Sequence, residues 1–102
     1  MNKGDKVKIK AICQGITTIA QGVTRYKMRS IQRIEAKTNL TGIVIGYSFI
    51  PTGKYNGWEN DDYFPIIYQP TFHKVWNVSL LTNGNRYLRP VKCFEEDLEK
   101  VL

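Results

Sequence analysis

The chain has 102 residues, 42% of them hydrophobic and 24% charged, with 15 Lys+Arg against 9 Asp+Glu and a formal net charge of +6. A length near 100 residues gives one domain with one modest core and leaves no room for a catalytic domain beside a partner domain. The composition excludes a disordered chain, and no apolar run approaches the ~20 residues that span a bilayer.

Gly4-Asp5 is a turn signal. Residues 5–12 then alternate Lys6, Lys8 and Lys10 with Val7, Ile9 and Ala11. Period-two alternation predicts a half-buried strand whose lysines face solvent. Residues 13–39 have more than one reading. Gly15 and Gly22 bracket residues 16–20, which fit a loop or a short strand. Residues 23–36 fit a strand, with Arg25, Lys27 and Arg29 on one face. They equally fit a helix, with Arg25, Arg29, Arg33 and Lys37 on one i, i+4 stripe and Met28, Ile31 and Ile34 on another. Both readings give a basic stripe.

Residues 41–50 are β-branched and aromatic, bounded by Asn39 and by Pro51 and Gly53, and predict a central strand. Gly42 and Gly46 inside it predict a bulge or a sharp bend. Residues 51–65 are a long polar excursion that carries Tyr55 and Trp58. Residues 66–70 predict a short edge strand or extended loop, and residues 72–82 a further strand. Asn83-Gly84 is the pair preferred in type I′ hairpins, where both central residues need φ > 0. Residues 86–89 are the expected returning strand, stopped by Pro90. Residues 93–102 predict one or two helical turns, whose acidic first turn suits the helix dipole. About five short strands, long loops and a short C-terminal helix have the form of a small closed or SH3-like barrel.

The charge is concentrated. Residues 1–37 hold nine basic and two acidic residues, a net +7, whereas the remainder holds six against seven. The aromatics are skewed the other way, eleven of twelve lying at or after Tyr47. A basic segment thus precedes an aromatic-rich body, an asymmetry that points to a polyanionic partner.

Signals for catalysis are weak. His73 is the sole histidine, and no motif surrounds Cys13, Cys93, Ser48 or Ser79, so a surface histidine at a strand edge is the expectation. Cys13 and Cys93 have no further Cys or His at ligand spacing, which leaves no zinc site. Without a secretory signal at the start, the two are expected as reduced thiols in a cytoplasmic protein. Glu59, Asp61 and Asp62 lack a calcium-loop ladder and read as a solvated loop. No phosphate loop is present, since Gly53 to Gly57 lacks the following Lys-Ser/Thr. No metal or cofactor is expected, and the chain reads as non-enzymatic.

Several segments together resemble a type of small bacteriophage-encoded protein with an SH3-like barrel. They are residues 4–9 as an opening strand, residues 41–53 as the "G-I-V-x-G" strand and turn, residues 74–78 followed by 85–91, and the closing "E-D-L" within residues 95–99. The resemblance implies a mainly β fold: a small SH3-like (KOW-like) barrel of about five strands with a short C-terminal helix. The domain would span residues 1–102, with an irregular basic insert at about 13–39. The resemblance carries over no activity.

The leading functional expectation is a phage binding module acting on nucleic acid, or on a host nucleic-acid-handling protein, in the host cytoplasm. Lys8, Lys10, Arg25, Lys27, Arg29 and Arg33 would neutralise phosphates, and affinity would fall with salt. The alternative is a protein–protein module, an anti-defence inhibitor or small virion or assembly component, that uses the aromatic loop 51–65 with Tyr55 and Trp58 as contacts. Tyr47 and Phe49 share one strand face and are expected in the core.

Overall fold

A computed structural model of the chain describes residues 1–20, 26–55, 67–81 and 89–101. Arg25, residues 56–66 with Trp58 and the acidic residues of the expected loop, and the expected Asn83-Gly84 turn lie outside the described residues, as does the side chain of Tyr55.

In chain order the elements are β1 (Lys6–Ala20), β2 (Tyr26–Tyr55), β3 (Ile67–Leu80), β4 (Val91–Cys93), a 3-10 turn (Glu95–Asp97) and β5 (Leu98–Lys100). They form a five-stranded sheet in the order β2-β3-β4-β1-β5, with β1 also paired to β2. Val7, Lys8 and Ile9 of β1 lie opposite Lys100, Glu99 and Leu98 of β5, antiparallel. Cys13 lies opposite Lys92, and Trp76, Asn77 and Val78 lie opposite Cys93, Lys92 and Val91, again antiparallel.

This corrects the expected SH3-like barrel with a C-terminal helix. The chain forms an ordered sheet of very unequal strands: β1, β2 and β3 run 15, 30 and 14 residues, and β4 and β5 only three each. The usual strand in a globular sheet is about five or six residues, so the three long strands depart from the several short strands expected. The expected helix is also absent among the described residues. A ten-residue segment is too short to offset helix nucleation alone. The edge of β1 offers it backbone partners instead, as where the Val101 N–H donates to the Lys6 carbonyl at 2.9 Å. Only the turn at Glu95–Asp97 remains of the helical signal.

Within residues 13–39, residues 13–20 continue β1 and residues 26–39 belong to β2. The β-branched and aromatic content decides for strand over helix where β-pairing partners are at hand. Two glycines let β2 pass through its centre. A Cβ at Gly42 would collide with Val78 and lie 2.7 Å from the Ser79 carbonyl oxygen, so only glycine admits this close approach of β3. Gly46 has φ +154°, a conformation L side chains rarely adopt.

The described residues cluster into two compact units, to both of which β1, β2 and β3 contribute. The first comprises Met1–Gln14, Arg33–Phe49 and Lys74–Leu102. Its core is Val7, Ile9, Val44, Trp76, Val78, Cys93 and Leu98, with Met1, Ile12, Leu40, Leu80 and Val91 packed against them. Val7, Val44 and Val78 are fully buried, each worth roughly 1.5–3 kcal/mol of hydrophobic transfer. The second unit comprises Gly15–Gln32 and Ile50–His73. In it Ile50 is buried, with its Cγ2 3.7 Å from where a Cβ at Gly15 would lie.

Candidate functional site

In the first unit, residues 42–49 of β2 alternate strictly. Gly42 and Val44 are buried, while Ile45, Tyr47 and Phe49 are exposed, Tyr47 at 57% and Phe49 at 53%. Tyr47 and Phe49 do share one face, but it is the solvent face, while Gly42 and Val44 are buried and Gly46 and Ser48 half-buried on the other. Their rings meet edge to face, with centroids 5.9 Å apart at 89°. Tyr47 also meets Trp76 at 5.8 Å and 73°. Trp76 is buried and belongs to the core, so it anchors the cluster from beneath. The Lys74 ammonium lies 4.6 Å from the Tyr47 ring centroid and 4.7 Å from that of Trp76. Contacts of this kind are worth ~0.5–1 kcal/mol at exposed sites and hold the cation at a defined point.

The basic residues are distributed otherwise than the sequence implies. Lys8 and Lys10 are exposed on β1. With Lys37, Thr38 and Asn39 of β2, and with Ile9 and Ala36, they line an open cleft of about 420 Å³. Among the described residues none of the three amines is in an ion pair. Arg33, by contrast, is engaged within the protein. Its Nε donates to Asp97 Oδ2 at 3.0 Å and its Nη2 to Oδ1 at 2.7 Å, a fork on a carboxylate that is itself buried. Its Nη1 reaches Glu35 Oε1 at 3.2 Å. These bonds, Asp97's first, hold the guanidinium above its already high ordinary value. Lys27 and Arg29 belong to the second unit, where both are half-buried and neither lacks a partner. Of the predicted basic residues, Lys8, Lys10 and Arg33 thus belong to the first unit and Lys27 and Arg29 to the second. Lys37, placed in the sequence only on a helical reading of the basic stripe, is what the strand pairing brings to Lys8 and Lys10.

His73, in β3, is half-buried with a ring nitrogen 3.0 Å from the Thr52 hydroxyl, which itself lies 3.4 Å from the Thr71 carbonyl oxygen. The imidazole and the hydroxyl thus share a hydrogen bond that ties β2 to β3. Cys13 and Cys93 are free and buried. Burial pushes the Cys93 thiol up to about 12, with Cys13 and Asp97 adding to the shift. Burial likewise raises the Cys13 thiol. Neither is a thiolate poised for attack. Among the described residues no group of three His, Cys, Asp or Glu side chains is placed to hold a metal ion. No helix among them is long and apolar enough to cross a membrane.

Comparison of the chain with protein families, curated proteins and solved structures finds no match. The resemblance to small bacteriophage SH3-like proteins is corrected accordingly, since neither the comparisons nor the sheet carries it. The quoted segments are short β-strand and turn patterns, which recur wherever a strand alternates or a glycine bends a sheet.

Proposed function

We propose that the chain is a non-enzymatic protein-interaction module whose contact surface is the outer face of β2: Ile45, Tyr47 and Phe49, with Lys74 beside them. The observation that carries this reading is the exposure of three large apolar side chains in one row on an ordered strand, where folding alone would accept polar residues. Aromatic residues on a rigid element bring large contact area at little entropic cost, as binding hot spots do. The lysine favours a partner with a carboxylate flanking its apolar side chains.

The same aromatics invite a rival use as a platform for bases. Stacking needs an open ring face. Here the rings meet edge to face, and Lys74 covers one face of Tyr47. That geometry suits side chains of a protein better than a run of bases. The two free buried cysteines fit a reducing compartment, which supports a cytoplasmic location.

The test is affinity for a protein captured from nuclease-treated lysate, measured with the wild type, Tyr47→Ser/Phe49→Ser and Lys74→Gln. The double variant is expected to bind at least tenfold more weakly while keeping the wild-type circular dichroism spectrum, and Lys74→Gln to show a smaller loss. Equal affinities in the three chains, or capture that vanishes with nuclease, would sink the reading. A dimer of the chain abolished by the same substitutions would replace the outside partner with a second copy.

A further inference from the structure

We infer that the cleft lined by Lys8, Lys10, Lys37, Thr38 and Asn39 is a phosphate-binding site that takes the backbone of a nucleic-acid strand. It is a second surface, chemically unlike the aromatic row, and it does not depend on that row's partner.

Three features carry it. The first is charge left over. Lys8, Lys10 and Lys37 are exposed, share one cleft and form no ion pair among the described residues. Arg33, four positions before Lys37, is by contrast engaged by Asp97 and Glu35. The protein thus neutralises the arginine and leaves the lysines.

The second is chemistry. The planar arginine fork is used here on a carboxylate, which leaves the lysines, point charges that bind phosphate oxygens from many directions. Thr38 and Asn39 add hydroxyl and amide groups of the kinds that fix phosphates in protein–nucleic-acid contacts. Ile9 is buried and Ala36 half-buried, so the exposed lining is mostly polar.

The third is spacing. Lys8 and Lys10 lie two residues apart on one face of β1, and two residues of strand advance about 6.7 Å. That is comparable to the separation of neighbouring phosphates in an extended strand. Closely packed like charges with no internal counterion are relieved when a polyanion arrives and releases its own counterions. Glu99 is a carboxylate in register with this row, opposite Lys8 across the β1–β5 pair. It weakens the site without neutralising it.

The experiment is fluorescence anisotropy of a labelled single-stranded DNA 15-mer of mixed sequence, titrated with the chain between 50 and 200 mM salt. Each phosphate contact on a single strand contributes about −0.7 to the slope of log affinity against log salt. Three contacts therefore cost the wild type about 20-fold in affinity over that range. Lys8→Gln/Lys10→Gln/Lys37→Gln is expected to bind more weakly, with a slope shallower by about 2. Lys8→Arg/Lys10→Arg/Lys37→Arg keeps the charge and is expected to keep the slope, and Glu99→Gln to tighten binding. Competition by inorganic phosphate, by a nucleoside triphosphate and by vesicles containing phosphatidylserine separates the possible sources of phosphate. An unchanged slope in the glutamine variant, no binding at 50 mM salt, or equal competition per phosphate by any of these three would overturn the assignment.

Discussion

Along β1, Lys6, Lys8 and Lys10 face solvent while Val7, Ile9 and Ala11 are buried. Along the middle of β2, Ile45, Tyr47 and Phe49 face solvent while Gly42 and Val44 are buried. The two strands follow the same period-two alternation and feed the same core, yet one turns out ammonium groups and the other turns out apolar rings. Their inner rows are both set by packing: Val7, Ile9 and Val44 fill the core, and Gly42 leaves room for β3. Their outer rows are not constrained by packing, so the contrast between them carries what folding does not require. A lysine row keeps a strand soluble. An apolar row on the outside works against solubility and calls for a use.

The contrast holds only if the shared inner row is what fixes the two faces, and the largest expected effect tests that. Gly42→Val inserts a side chain where Val78 and the Ser79 carbonyl oxygen already stand. Destabilisation of about 3 kcal/mol or more is expected in urea unfolding. A variant as stable as the wild type would mean that β2 and β3 do not approach as closely as described, and the outward placement of Tyr47 would lose its basis.

A smaller effect probes the same inner row through pH. The Cys93 thiol sits at about 12 when folded, against an ordinary 9.0. Between these values the unfolded chain releases a proton that the folded chain retains. Its contribution is therefore complete below pH 9 and is lost as pH rises toward 12, at about 1.4 kcal/mol per pH unit. Unfolding profiles of wild type and Cys93→Ala from pH 8 to 11 should converge by that amount per unit. Parallel profiles would count against a deeply buried thiol.

The smallest effects separate charges used in folding from charges left for a ligand. Asp97→Asn weakens a charge-assisted fork and is expected to lower Tm. Glu35→Gln, at an exposed position, is expected to leave Tm within error. The reverse order would put the anchor of Arg33 at Glu35 and would reopen its availability to phosphate.

Much of the architecture is legible in the residues. Alternation at 5–12 and β-branched density at 41–50 locate β1 and the middle of β2. The glycines there mark a tight approach and an unusual φ. The terminal segment misleads, since its acidic start and apolar spacing fit a helix as well as a turn followed by an edge strand. The deciding factor is the hydrogen-bonding edge of β1, which no local pattern records. β4 escapes notice for a similar reason: Val91–Cys93 is three residues long and exists because β1 and β3 flank it.

By itself the sequence determined the strands at 5–12 and 41–50 and the concentration of positive charge before residue 38. A period of two can be read from any segment whatever it pairs with, but it names two faces without saying which one meets the core. Only the tertiary structure decided that Tyr47 and Phe49 are outside, that Arg33 is held by a carboxylate 64 positions away, and that Lys37 joins Lys8 and Lys10. Each of these depends on which segments pair and in what register. Sheet pairing joins residues distant in sequence, so a reading confined to neighbours does not reach it.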